Sequence, residues 1–162
     1  MKITINPFDT NSITAAIKET ERYLKDFESK EIEFVRRLTE LGVSVATTGF
    51  ALADYDGTND VLVTSTQNRN RAAVIAYGET VGFIEFGTGV KYPEYDSSGL
   101  EFKPPAHGTY GKGKGANPKG WYFSPSDGAS MHTYGNHPAE AMLTARNTMI
   151  ERVTQIAREV WK

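Results

Sequence analysis

The stretch NSITAAIKETERYLKDFESKEIEFVRRLTEL, Asn11 to Leu41, decides how this chain folds. Ile17, Leu24 and Leu38 fall in one row at seven-residue spacing, with Glu31 interrupting it. Thr20, Phe27, Phe34 and Leu41 form a second row beside it. Together they make one apolar stripe at helical period, which predicts a helix over 10–42. Asp9 or Thr10 is placed to cap its start, and Gly42 to stop it. At 1.5 Å per residue the helix spans roughly 45 Å, so part of it reaches past the core of a small domain. The opposite face mixes Lys18, Glu21, Arg22, Lys25, Asp26 and Glu28. It suits either solvent or a neighbouring subunit.

C-terminal to this helix the texture changes. Val43 to Gly49 reads as helix tail or strand entry, and Asp56-Gly57 marks a turn within Asp54 to Asn59. Val61 to Thr66 is rich in β-branched residues, Gln67 to Asn70 is turn-like, and Ala72 to Tyr77 is a second strand. The pair predicts a hairpin. Val81 to Phe86 is too short for periodicity to separate a strand from a turn of helix. A long Gly/Pro/Lys-rich loop occupies 87–120. Trp121-Tyr122-Phe123 is an aromatic strand signal, and Ser124 to Gly135 is turn-rich. A second helix is predicted over 138–161, with Met142, Met149 and Ile156 in one row. Pro138 suits its first position, and His137 with Glu140 makes a weak capping box. The expected fold is α+β. One domain spans 1–162, with a small antiparallel sheet and the loop over 43–135 and both terminal helices on that sheet.

Composition narrows the function. A formal charge of −2 over 162 residues argues against a dedicated DNA- or RNA-binding domain, which carries a basic excess. The absence of cysteine removes disulfides, thiolate metal sites and cysteine nucleophiles. Met1 to Thr10 lacks a secretory pattern, and no run approaches the roughly 20 apolar residues of a membrane span. The expectation is a soluble protein made in a cytoplasm.

No residue pattern specifies catalysis. His107, His132 and His137 are conceivable zinc ligands, but they lack helical pair spacing and read as loop histidines. Gly108 to Gly115 imitates a phosphate loop, yet Gly115 stands where a Ser or Thr must hold magnesium and no helix follows. Lys103, Lys112, Lys114 and Lys119, with no acidic residue between 103 and 120, read instead as a basic loop. Such a loop hooks an acidic partner surface, grazes nucleic acid or is simply solvated. Glu85, Asp54, Asp56 and Glu79 could act in acid–base work, but nothing in their spacing makes a pair. Neither a metal nor a cofactor is expected.

The most unusual local sequence is Phe83-Ile84-Glu85-Phe86-Gly87-Thr88-Gly89. A carboxylate among large apolar residues is costly to bury unless it is hydrogen-bonded. The glycines supply N–H groups and unrestricted φ. Glu85 is therefore expected to pin a tight turn, and a catalytic glutamate is the weaker alternative. At this segment the chain resembles the tail-completion, or head–tail joining, family of long-tailed bacteriophages. An ordered set carries the resemblance: Thr48-Gly49, Tyr77, Phe83 to Gly89, Gly120-Trp121-Tyr122, Pro138-Ala139, Met142-Leu143 and Ala145. The chain departs from the family at Ala141-Met142, where Phe is usual, and at Val45-Ala46, where Pro is common.

The resemblance implies a non-catalytic neck protein of a virion. Six copies would form a ring between the major tail tube protein and the head connector, and DNA would pass through it unread. It implies assembly roles for Glu85, Phe86, Gly87, Thr88 and Gly89, for Lys103, Lys112, Lys114 and Lys119, and for Trp121. A minor tail protein, a tail terminator or a small hydrolase are the competing readings.

Overall fold

A computed structural model describes residues 3–90, 114–124 and 128–162. Helix α1 runs from Thr10 to Ala51, 42 residues or ~63 Å. Asp9 caps it, its carboxylate accepting the Asn11 N–H at 2.9 Å. The expected stop at Gly42 does not occur. Gly42 lies inside the helix, where an added side chain would run into Met149 and Val74. This glycine serves close approach between elements, and the residues after it, Val43 to Gly49, continue the helix. The helix ends where Asn59 Nδ2 donates to the Phe50 carbonyl at 2.8 Å, satisfying one acceptor of the last turn.

Strands β1 (Leu62–Asn68) and β2 (Arg71–Tyr77) form the expected hairpin. Asn68 pairs with Arg71, so the turn is two residues, and Arg69 takes φ 51°. At the hairpin base, Asp60 accepts the Glu79 and Thr80 N–H groups at 2.7 and 3.0 Å, and the Thr80 hydroxyl as well. That hydroxyl first, then the two amides, hold the Asp60 carboxyl below its usual range. Val81–Phe86 is helical (α2). A single turn of 3-10 helix, Lys114–Ala116, precedes β3 (Trp121–Phe123). β3 pairs antiparallel with β4 (Met131–Thr133), a strand hidden in what reads as turn-rich sequence.

Helix α3 spans Ala141–Val160, shorter at its start than expected. Pro138 and His137 lie outside it, and Glu140 sits at φ 50° immediately before it. The reason is tertiary. The Ala139 and Glu140 N–H groups donate to the Ile84 and Glu85 carbonyls at 2.8 and 3.2 Å, which holds 139–140 against α2 and out of helix.

The α+β class is therefore as expected, but the strands form two separate two-stranded ribbons rather than one sheet. The helices pack mainly on each other, and β1 and β2 lie against α1. α1 and α3 run antiparallel along a seam of small residues. Gly49 meets Ala141, Gly42 meets Met149, and Trp161 stacks on Phe27 and Phe34 with ring centroids 6.1 and 5.5 Å away. The core lies where α1 ends and α2 and α3 meet, around Phe50, Ile84 and Ala141. Among the described residues, no helix is long and apolar enough to cross a membrane.

On the exposed face of α1, Glu33 binds Arg36 and Arg37 at 2.8 and 2.6 Å. Hydrogen bonds from Arg36, then Arg37, lower its pKa from 4.5 to about 2. A depressed carboxyl pKa stabilises the fold above the unfolded value and loses that contribution as pH falls through the folded one. Between pH 4.5 and about 2, urea-unfolding stability is expected to fall more steeply in the wild type than in Glu33→Gln. Parallel curves would show the cluster to be energetically neutral.

Candidate functional site

The unusual segment 83–89 makes the junction between α2, α3 and the second ribbon. α2 ends at Gly87 (φ 72°), and its last turn presents Glu85 to the start of α3. Glu85 is only 4 % exposed. Its Oε2 accepts the Met142 N–H at 3.0 Å and its Oε1 the Leu143 N–H at 3.2 Å. These are first-turn amides, which lack acceptors within their own helix. The helix has no side-chain cap from Glu140. A glutamate more than fifty residues upstream supplies the cap, and the N-terminal end of the helix dipole favours a carboxylate there. Glu85 thus caps the start of a distant helix, whereas the sequence leads one to expect a pin for a tight turn.

Thr88 extends the same junction. Its N–H and C=O exchange bonds with Asn136 O and N at 2.9 and 3.2 Å. The Thr88 hydroxyl donates to Asn136 Oδ1 and accepts the Asn136 N–H at 3.1 Å. Asn136 Nδ2 spans to the Phe83 carbonyl at 3.0 Å. Two glycines, Gly89 (φ 82°) and Gly135 (φ 95°), allow these backbones to touch. Phe86 is half-buried beside them.

Next to this junction is a cavity of about 370 Å³, lined by Tyr55, Asp56, Phe83, Thr88, Trp121, Phe123, Thr133 and Asn136, with Gly57, Gly115 and Gly135. Its described lining mixes four aromatic side chains with four polar ones and three glycines. Thr133 Oγ1 donates to Asp56 Oδ2 at 2.8 Å and accepts the Gly135 N–H at 2.9 Å. Burial, then the charges of Asp60 and Asp56, push the Tyr55 phenol up.

The structure therefore brings together Glu85, Phe86, Gly87, Thr88, Gly89 and Trp121. It does not bring the basic group to them. Lys103 and Lys112 lie outside the described residues, as does most of the 87–120 loop and the side chain of Lys114. Lys119 is exposed, and its carbonyl takes a 3.0 Å hydrogen bond from His132 Nε2. His132 also packs edge-on to Tyr122 and Tyr134, each at 4.9 Å, so it braces the ribbon. His137 is exposed and His107 is outside the described residues. Among the described residues, no cluster of three or more His, Asp or Glu could hold a metal.

Sequence reading missed Asn136 and Tyr55 altogether. Asn136 meets Thr88 across 48 positions, a separation that no local pattern reports. Its place just before His137-Pro138, where a helix start is expected, was the available signal. No family model matches the chain, and neither does a curated protein or a solved structure.

Proposed function

We propose that the chain is a non-catalytic assembly subunit of a phage neck, a tail-completion or head–tail joining protein. On this reading several copies, six by the resemblance, close a ring between the tail tube and the head connector. DNA passes through without sequence-specific contact. The protein is made in the host cytoplasm and resides in the virion.

One observation carries the reading. α3 reaches along α1 only as far as Trp161 on Phe27 and Phe34. Residues 10–26 continue past that contact, ~25 Å of helix. The apolar stripe continues with them. Ile17 and Leu24 are each 54 % exposed, and Ile13 and Tyr23 are exposed as well. Ala16 beside them is buried, and the apolar side chains left exposed along this stretch suit a neighbouring subunit. Heterologous contact of this kind closes a ring when the rotation allows. Of the ordered residues that carry the resemblance, 83–89 and 138–145 meet at the α2–α3 junction, and Trp121 lines the cavity beside Thr88.

The test is reconstitution of the chain on purified tail tubes, viewed by cryo-electron microscopy. Rings of this chain at the tube end are expected. The double variant Ile17→Lys, Leu24→Lys should keep its circular-dichroism spectrum and melting temperature, because both side chains are exposed, yet lose ring formation. Absence of the chain from finished particles would sink the neck reading, and unimpaired rings in the variant would remove the stripe from the interface.

A further inference from the structure

The apolar side chains left open along the N-terminal part of α1 have a counterpart elsewhere on the same chain. Between α1, β2 and α3 runs a groove of about 390 Å³. Leu38, Val74, Met142, Ala145 and Met149 line it. Ile150 and Val153 complete its apolar wall and are 54 % and 37 % exposed. Large apolar side chains exposed around a concave apolar surface mark a contact site, and methionines let such a surface adapt to its occupant. Arg146 is the one charged residue of the described lining. Its Nη1 donates to Asn147 Oδ1 at 3.0 Å, and it pairs with no carboxylate among the described residues.

The exposed stretch of α1 matches this groove in length, polarity and charge. From Ile13 to Leu24 it covers ~16 Å of helix, and so does the α3 wall from Met142 to Val153. Ile13, Ile17 and Leu24 share one face of α1, and Glu21 lies one turn after Ile17 at the flank of that face. Glu21 is exposed and joins no ion pair among the described residues. If the stretch runs antiparallel to α3, a single register sets Ile17 level with Ile150 and Glu21 level with Arg146. The same register brings Ile13 to the Val153 end and Leu24 to the Met142 end. A chain cannot make this contact with itself. Leu24 and Leu38 lie on one unbroken helix, ~21 Å apart, so the stretch cannot fold back into a groove that its own helix lines.

We propose that the groove receives residues 13–24 of a second copy of this chain, an amphipathic helix laid antiparallel to α3 with its Glu21 on Arg146. The apolar faces supply the contact, and the ion pair fixes its register. Each copy gives a helix and receives one, so the contact is heterologous and propagates from copy to copy. The proposal names the other side of the interface on which the neck reading rests, but the contact itself needs only two copies.

The chain has no cysteine, so each introduced thiol is the only one its copy carries. Ile17→Cys chains and Ile150→Cys chains are mixed without tail tubes and joined by a short bismaleimide, and mass spectrometry follows the product. Both side chains are exposed, so both variants should keep the wild-type circular-dichroism spectrum. The control partner carries Glu151→Cys, also exposed but turned away from the groove. Ile17→Cys is expected to couple to Ile150→Cys about tenfold faster than to the control. Arg146→Glu in the Ile150→Cys chain should remove that advantage, and Glu21→Arg in the Ile17→Cys chain should restore it. Such rescue cannot come from a misfolded partner. Equal coupling to the two partners, or an advantage that Arg146→Glu leaves unchanged, overturns the docking. So does preferential coupling of Ile17→Cys to the tube protein once tail tubes are added, which would give the α1 face to that neighbour. Failure of the neck reading is a separate result, because particles that lack the chain would leave the coupling between copies intact.

Discussion

Glu85→Ala is expected to lower the unfolding free energy by about 3 kcal/mol. The variant removes the acceptor of two first-turn amides in α3, Met142 and Leu143 N–H. Each buried donor left without a partner costs on the order of 1–3 kcal/mol, and the emptied site adds a cavity term. For a chain of this size the loss corresponds to a drop of roughly 6–12 °C in melting temperature. Glu85→Gln separates charge from shape. Its amide oxygen accepts one N–H, but its NH₂ confronts the other donor and the favourable dipole interaction is lost. About 1–2 kcal/mol is expected, with full occupancy of the site and no cavity. Urea unfolding gives both values. Hydrogen exchange places the damage, with faster exchange at Met142 and Leu143 before the α3 centre. A Gln variant within 0.5 kcal/mol of wild type would mean that the hydrogen bonds contribute little, and a catalytic role for Glu85 would regain ground.

Local chemistry made some of this fold legible. The Ile17–Leu24–Leu38 row announces α1 because helical period is a property of neighbours in sequence. β-branched residues around Asn68 and Arg71 announce the hairpin for the same reason. The α1 end was misread because Gly42 in isolation is a stop signal, whereas here it is the gap that Met149 and Val74 fill. The α3 start was misread because Pro138 is a good first residue, but bonds from 139 and 140 to the α2 carbonyls overrule that preference. β4 has only three residues and is defined by its partner, Trp121–Phe123. At the site, burying a glutamate between Ile84 and Phe86 demanded partners, and that demand was readable. Which amides would meet it was not, because Met142 lies 57 positions away. Asp56 likewise counted only as a spare carboxylate until Thr133 and the aromatic rings were placed around it.

Gly135→Ala should be among the most damaging single-methyl additions at the described glycines, at about 3 kcal/mol or more. Gly135 sits at φ 95°, where an L side chain costs on the order of 1–3 kcal/mol by itself. The new Cβ would also be driven into the Thr88 carbonyl, with the Gly89 N–H beside it. These are backbone atoms held by the paired Thr88–Asn136 bonds, so they cannot swing aside as a side chain can. Relief requires opening that bridge, which also displaces Asn136, Thr88 and the wall of the aromatic cavity. Loss of stability should therefore appear together with faster hydrogen exchange at the Thr88 and Asn136 amides. Gly42→Ala is the matched control. Its Cβ also enters crowded space, but the atoms it meets, Met149 Sδ and Val74 Cγ2, belong to side chains rather than to backbone, and the nearer of them is on flexible Met149. Helix-interior alanine gains about 1 kcal/mol over glycine, which offsets much of the repacking. The Gly42 variant should remain within about 1 kcal/mol of wild type in urea unfolding. Similar mild effects at both sites would show that the 88–89 and 134–136 backbones do not touch in this register. A severe effect at Gly42 alone would instead place the tightest packing of the fold in the α1–α3 seam.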